Sequence, residues 1–154
     1  MALIQLTTKI KAPIQVVFDL SRSIDFHQES ASKTREKAVA GRTTGLIELN
    51  EIVTWQAVHF EVKQQLTTKI TAMNAPHSFT DEMVRGVFKS IKHEHLFTEL
   101  NGITTMVDHF HFESPFGIFG KLFNALVLTN YMKRFLEERN AAIKREAESQ
   151  SRKN

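Results

Sequence analysis

Residues 90–113 read SIKHEHLFTELNGITTMVDHFHFE, two aromatic-bearing runs hinged on Asn101-Gly102. Both central positions of a type I′ turn need positive φ, which Asn and Gly adopt most readily, so the pair predicts a two-residue β-hairpin. Leu100 then faces Ile103, and counting back sets His95 opposite Asp108 and His93 opposite Phe110. Successive side chains of a strand point to opposite faces. One face therefore carries Ile91, His93, His95, Phe97 and Glu99 with Thr104, Met106, Asp108, Phe110 and Phe112. The other carries Lys92, Glu94, Leu96 and Thr98 with Thr105, Val107, His109 and His111. The first set holds most of the aromatic bulk and is assigned to the interior. This places His93, His95 and Asp108 inside and leaves His109 and His111 near solvent.

The flanking segments extend the sheet and then cover it. Upstream, from Ser32 onward, Leu46–Val58, Phe60–Met73 and Phe79–Phe88 are rich in branched and apolar residues, with Gly41, Gly45 and Asn74-Ala75-Pro76 as punctuation. These read as strands. Leu3 to Lys11 alternates as a first strand. Pro13 stands where a helix begins, and Ile14, Val17 and Phe18 follow as a short apolar stripe. Ser23 is placed to cap a second short helix. Downstream, Ser114-Pro115-Phe116-Gly117 ends the sheet. Phe119, Leu122, Phe123, Leu126, Val127, Tyr131 and Phe135 then recur at helical spacing, predicting one amphipathic helix of roughly 25–30 residues. The fold class is α+β: a strand, two short helices, six antiparallel strands and a long C-terminal helix. A sheet with one apolar face needs that helix as cover. Where such a sheet curls around a single helix, a concave and mostly apolar pocket remains between them.

Composition narrows the function classes. A chain of 154 residues suits one domain; residues 1–148 are expected to form it, with 149–154 as a polar tail. Zero Cys excludes a disulfide framework, thiolate zinc sites and a cysteine nucleophile. The formal charge of +3 is spread among mixed signs, without the basic stripe of a nucleic-acid binder, so no nucleic-acid partner is expected. No stretch is long and apolar enough to span a bilayer, and the N-terminal residues lack the regions of a signal peptide. A cytoplasmic location is the expectation. Ser21, Ser23 and Ser114 lack any nucleophile-elbow context. Nine of the twelve Phe and five of the seven His lie from His77 onward. Large rings without hydroxyls, interleaved with imidazoles, suit a binding site.

Several motifs carry a family resemblance. They are Ile10-Lys11-Ala12-Pro13 followed by Val17-Phe18-Asp19-Leu20, then Val53-Thr54-Trp55, Phe79-x-Asp81 and Gly86-x-Phe88. After these come His93-x-His95-x-Phe97, Asp108 and Pro115-x-Gly117-x-x-Gly120. In this order the chain resembles the helix-grip superfamily of START lipid-transfer domains, pollen-allergen-like proteins and polyketide cyclase/dehydrase-like proteins. Within it, the bacterial ligand-binding branch is the most similar. The resemblance runs to about Ala142. Two positions depart from the branch, which often has Gly where Glu61 stands and Pro where Val87 stands. Membership implies a seven-stranded antiparallel curved sheet wrapped around the C-terminal helix. It also implies a cavity for lipid-, steroid- or polyketide-like molecules. It implies no reaction, because one fold supports carriers and enzymes.

The expected function is therefore binding or carrying a small hydrophobic molecule, with no cofactor. Phe97, Met106, Phe110, Phe119 and Phe123 are the expected apolar walls, and His93, His95 and Asp108 the polar anchors. The same trio permits two other chemistries. A cyclase/dehydrase-like enzyme would use His93 or His95 as general acid/base, oriented by Asp108. Two His and a carboxylate also form a facial metal triad, although i, i+2 His pairs arise easily on strands and no metal is expected. The plain alternative is a buried His–Asp pair that touches no ligand. Asp81 and Arg85 are expected to share a strand face as an ion pair, Trp55 to sit in the core, and His59 and His77 to be solvated.

Overall fold

The computed structural model describes residues 1–115, 117–118, 122 and 124–154. Strand β1 (Ala2–Ile10) leads into helices α1 (Ile14–Arg22) and α2 (Ile24–Ser30). Six strands follow: β2 (Lys37–Gly41), β3 (Ile52–His59), β4 (Val62–Asn74), β5 (Ser78–Arg85), β6 (Ser90–Leu100) and β7 (Ile103–Glu113). After a π-helical turn at Asn124–Leu128, helix α3 runs Thr129–Lys153. The seven strands form one antiparallel sheet in the order β1-β7-β6-β5-β4-β3-β2. The expected α+β helix-grip architecture is thus observed, with α3 gripped by the curved sheet.

Local chemistry places each element. Asn101 and Gly102 adopt φ of 53° and 74°, as the I′ turn requires. The β6–β7 register follows from that turn: Leu100 pairs Ile103, His95 pairs Asp108 and His93 pairs Phe110. Pro13 precedes α1 without donating a side-chain cap. Instead, the Ile14 amide donates to Glu99 Oε2 at 2.8 Å. Glu99 thus shares the inward face of β6 in register but stands exposed at its end, where its charge favours a helix N-terminus. Ser23 caps α2 by accepting from the Phe26 amide at 3.1 Å.

Some boundaries differ from expectation. The run expected to be extended from Leu46 enters the sheet only at Ile52, because Glu48 accepts the Glu51 amide in a turn and Asn50 takes a φ of 68°. Ser32–Thr34 is a 3₁₀ turn before β2. β5 ends at Arg85, and a register shift lies opposite it on β4, between Thr67 and Thr68. Helix α3 continues to Lys153, through the residues expected to form a polar tail.

The interior is divided. One apolar cluster lies under α1 and the last turns of α3, around Phe18, Phe79, Phe97, Met106 and Ile143. Phe18 meets Phe79 and Phe97 edge-on at 5.7 and 5.5 Å between ring centroids, a contact that contributes about 0.5–1.5 kcal/mol beyond area burial. A second cluster holds Ile4, Ile91, Phe110, Phe112, Met132 and Leu136. Along β6, β7 and α3 the residues between these clusters are His93, His95, Asp108 and Asn140, all buried. A polar layer separates two apolar cores.

Candidate functional site

The polar layer is built on regular strands. His93 and His95 are two apart on β6 and share its inner face, and Asp108 faces them from β7. His93 Nε2 lies 2.9 Å from Asp108 Oδ1. His95 Nδ1 lies 3.1 Å from the same oxygen, too poorly aligned for a full hydrogen bond. Asn140 on α3 donates to Asp108 Oδ2 at 2.6 Å. The far side of the layer is closed by Asp81 of β5, paired directly with His93 in register, whose Oδ2 is 3.1 Å from His95 Nε2. The expected Asp81–Arg85 pair does not form: Asp81 turns to the imidazole, and Arg85 is exposed.

These contacts set the charge states. Burial alone would raise the Asp108 carboxyl, but its hydrogen bond from His93 and the close approach of His95 hold it well below the usual carboxylate range. An ionised Asp108 only accepts, so His93 carries its proton on Nε2 and leaves Nδ1 as a lone pair. Burial, aided by the neighbouring His95, pushes His93 down to about 4. Burial also opposes charge on His95, yet its contacts with Asp108 and Asp81 outweigh this and raise it. Asp81 is lowered in turn, burial being overcome by its bond to His95 and the charges of His93, His95 and Arg139. Asp81 keeps 19% of its side-chain surface open, toward the cavity it lines. Asp81, His93 and His95 each offer a donor atom, and the three atoms lie within 4.8 Å of one another.

Between the sheet and α3 lies a cavity of about 530 Å³. Ile70, Phe79, Ile91, Phe110, Met132 and Leu136 supply apolar wall, while His93, His95 and Asp81 supply one polar patch. A second polar patch is formed by His27, Glu36, His59 and Tyr131. Glu36 is 8% exposed and hydrogen-bonds His27 Nε2, with His59 Nε2 at 3.9 Å. His59 Nδ1 meets the Tyr131 hydroxyl at 2.7 Å. Burial would raise Glu36, but His27, His59 and Arg139 lower it, whereas burial lowers His59 against the opposing pull of Glu36. Arg139 lines the cavity between both patches; its Nη2 donates to the Ser21 carbonyl at 2.8 Å, and its buried Nη1 has no partner.

The cavity redraws the expected site. His93, His95 and Phe110 line it. Asp108 does not: at 0% exposed it stands behind the two imidazoles and positions them. Phe97 and Met106 are inward-facing but close-packed in the first core cluster, because α1 fills the space above them. Phe119 and Phe123 lie outside the described residues. His77 is exposed, and His109 and His111 lie on the outer face. His59, expected in solvent, instead lines the cavity; Trp55, expected in the core, packs against the first cluster and also borders the cavity, tilted on His27 with ring centroids 4.2 Å apart. Sequence reasoning missed Glu36, whose only signal is an acidic residue just before a strand, and the inward turn of Asp81.

Residues 1–148 match the family model described as polyketide cyclase / dehydrase and lipid transport. A search of the curated proteins finds no match. Among solved structures, one from Thermus thermophilus shares 17% identity at a TM-score of 0.79, over 97% of this chain and 99% of that one. A START superfamily protein from Mycobacterium smegmatis shares 10% identity at a TM-score of 0.73, over 96% and 97%. The ginseng major latex-like protein 151 of Panax ginseng shares 16% identity at 0.70, over 95% and 97%. At these identities the likeness is one of fold.

Proposed function

The chain belongs to the polyketide cyclase/dehydrase and lipid transport family, and from that premise we propose that it binds or carries a small lipid-, steroid- or polyketide-like molecule between sheet and α3. Family and fold together point to a hydrophobic ligand; the finer class is our reading. One observation carries it: the cavity of about 530 Å³, apolar over most of its wall and polar at two patches. Ligand cavities usually span roughly 300–1,000 Å³ and combine apolar walls with a few convergent polar groups. Phe110, Ile91 and Leu136 would hold the ligand body, with His93 and Asp81 fixing a polar end. Native mass spectrometry of freshly purified protein, followed by solvent extraction, tests this. A bound apolar species is expected, and its removal should lower the melting temperature, since a ligand at 100-fold its Kd stabilises by about 2.7 kcal/mol. A protein that stays empty against a lipid and polyketide panel overturns the reading.

A second reading has its own support. His93 lines the cavity and is held on Nε2 by Asp108, which leaves its Nδ1 unprotonated. A positioned imidazole of this kind can act as general base on a cyclising or dehydrating polyketide-like substrate. It predicts turnover that falls by about 10²–10⁴-fold in His93→Gln with the fold retained. Turnover indifferent to both His93→Gln and His95→Gln removes it.

A further inference from the structure

We propose that Asp81, His93 and His95 bind a first-row divalent transition metal on the cavity wall, as a two-histidine, one-carboxylate face. The three donors come from adjacent, regularly paired strands, with Asp81 directly opposite His93. Their donor atoms already lie within 4.8 Å of one another. Metal–ligand distances of roughly 2.0–2.2 Å set neighbouring donors about 3.0–3.5 Å apart, a spacing that small side-chain movements reach. The imidazoles come from one strand face, so both rings reach the same side of the sheet.

The backing of these rings is what distinguishes the group from a chance His pair. His93 Nε2 and His95 Nδ1 both turn toward Asp108 Oδ1, at 2.9 and 3.1 Å. Asn140 fixes the other Asp108 oxygen at 2.6 Å. A carboxylate behind a metal-binding imidazole sets its tautomer, holds its plane and strengthens it as a donor. Here Asp108 holds the His93 ring through Nε2 and lies against the His95 ring without a full hydrogen bond, which leaves His93 Nδ1 and His95 Nε2 as the nitrogens to offer a metal. The Nε2–Asp108 bond leaves the His93 lone pair on Nδ1, and His95 Nε2 already faces Asp81 Oδ2.

Donor chemistry narrows the ion. Two nitrogens and one oxygen are a poor set for calcium or magnesium, which take oxygen ligands, and suit zinc, iron(II), cobalt or manganese. Three protein donors leave coordination positions open toward the cavity. A carbonyl, enolate or carboxylate oxygen of a bound molecule would fit there. The inference goes beyond the carrier reading and stands apart from it, because metal uptake is read on protein freed of organic ligand.

Equilibrium dialysis of chelator-treated protein against Zn²⁺, Co²⁺ or Mn²⁺ alone, with elemental analysis, should show stoichiometric uptake. The Co²⁺ form should show visible ligand-field bands. Asp81→Asn keeps the side-chain shape and should weaken uptake by at least about 10–100-fold, with circular dichroism confirming its fold. Should that variant unfold, NMR of the unmodified protein still decides. Mn²⁺ should broaden the ring signals of His93 and His95 before those of His109 and His111 on the outer face. Negligible uptake, uptake unchanged in folded Asp81→Asn, or broadening centred on His109 and His111 overturns the proposal.

Discussion

Two hairpins bring imidazoles to the same cavity by unlike means. In β6–β7 the turn is Asn101-Gly102, and His93 and His95 sit in the middle of long, regular strands. In β3–β4 the turn is Phe60-Glu61, with φ of 51° and 63°, and His59 is the last residue before it. The first turn uses residues suited to positive φ. The second imposes the same geometry on residues for which it carries a steric cost. What sustains it is tertiary: Phe60 packs on Tyr131 of α3 at 4.4 Å, and Tyr131 meets His59 at 2.7 Å. A strand interior thus holds its histidines through sheet register, whereas a hairpin end holds its histidine through contact with a helix.

The largest expected effect lies in the first hairpin. Asp108 is enclosed and serves both imidazoles and Asn140. Asp108→Ala should cost about 3–5 kcal/mol in urea unfolding, the usual result of stranding one member of a buried pair. Glu36→Gln keeps an acceptor and should cost less, about 1–3 kcal/mol. Equal losses would mean that strand-centred and helix-dependent patches are equally fixed, and would break the comparison.

Acidification should act next, and in both hairpins: His93 is held down to about 4 and His59 is lowered as well, while the raised His95 opposes them. His59 faces Glu36 and Tyr131, and burial holds its folded pKa below the ordinary value. The unfolded chain therefore binds the proton first. His59's contribution is full above about pH 6.5 and is lost as pH falls through its lowered folded pKa. Glu36 is also lowered and adds loss of the same sign further down, below its unfolded value. Melting temperature should fall from pH 7.5 to 5.5, and His59→Gln should flatten the upper part of that fall. A parallel curve for the variant would show that this patch does not titrate on unfolding.

The smallest effects sharpen the contrast between the turns. Gly102 has open space where a Cβ would stand, so Gly102→Ala tests backbone strain alone. It should destabilise by about 1 kcal/mol. Glu61→Gly occupies the equivalent position of the other turn and should stabilise by about 0.5–1 kcal/mol. Thermal melts showing the same sign for both would refute the claim that the turns are chemically opposite.

That contrast also explains what is legible in the sequence. The Asn101-Gly102 dipeptide and period-two alternation suffice to place His93 and His95 inside and opposite their partners on β7. No comparable local signal marks Phe60-Glu61, so a sequence reading leaves His59 in solvent. Asp81 presents a different obstacle. The connection from β5 to β6, residues 86–89, is not a standard two-residue turn, so the pairing of Asp81 with His93 cannot be counted from sequence. Phe97 and Met106 show the limit of face assignment. Both face inward, but whether an inward side chain meets a cavity or a helix depends on where α1 lies above the sheet.

By itself the sequence determined the order of elements, the register of the central hairpin and the side of the sheet on which its rings lie. Those properties come from dihedral preferences and alternation, which act over a few residues. The tertiary structure decided which buried groups share an empty volume, that Asp108 stands behind the imidazoles, and that His27, Glu36, His59 and Tyr131 gather at one place. These depend on how α1, α2 and α3 close over the sheet, joining residues far apart in the chain. Burial then sets their charge states, and no local pattern encodes burial at that depth.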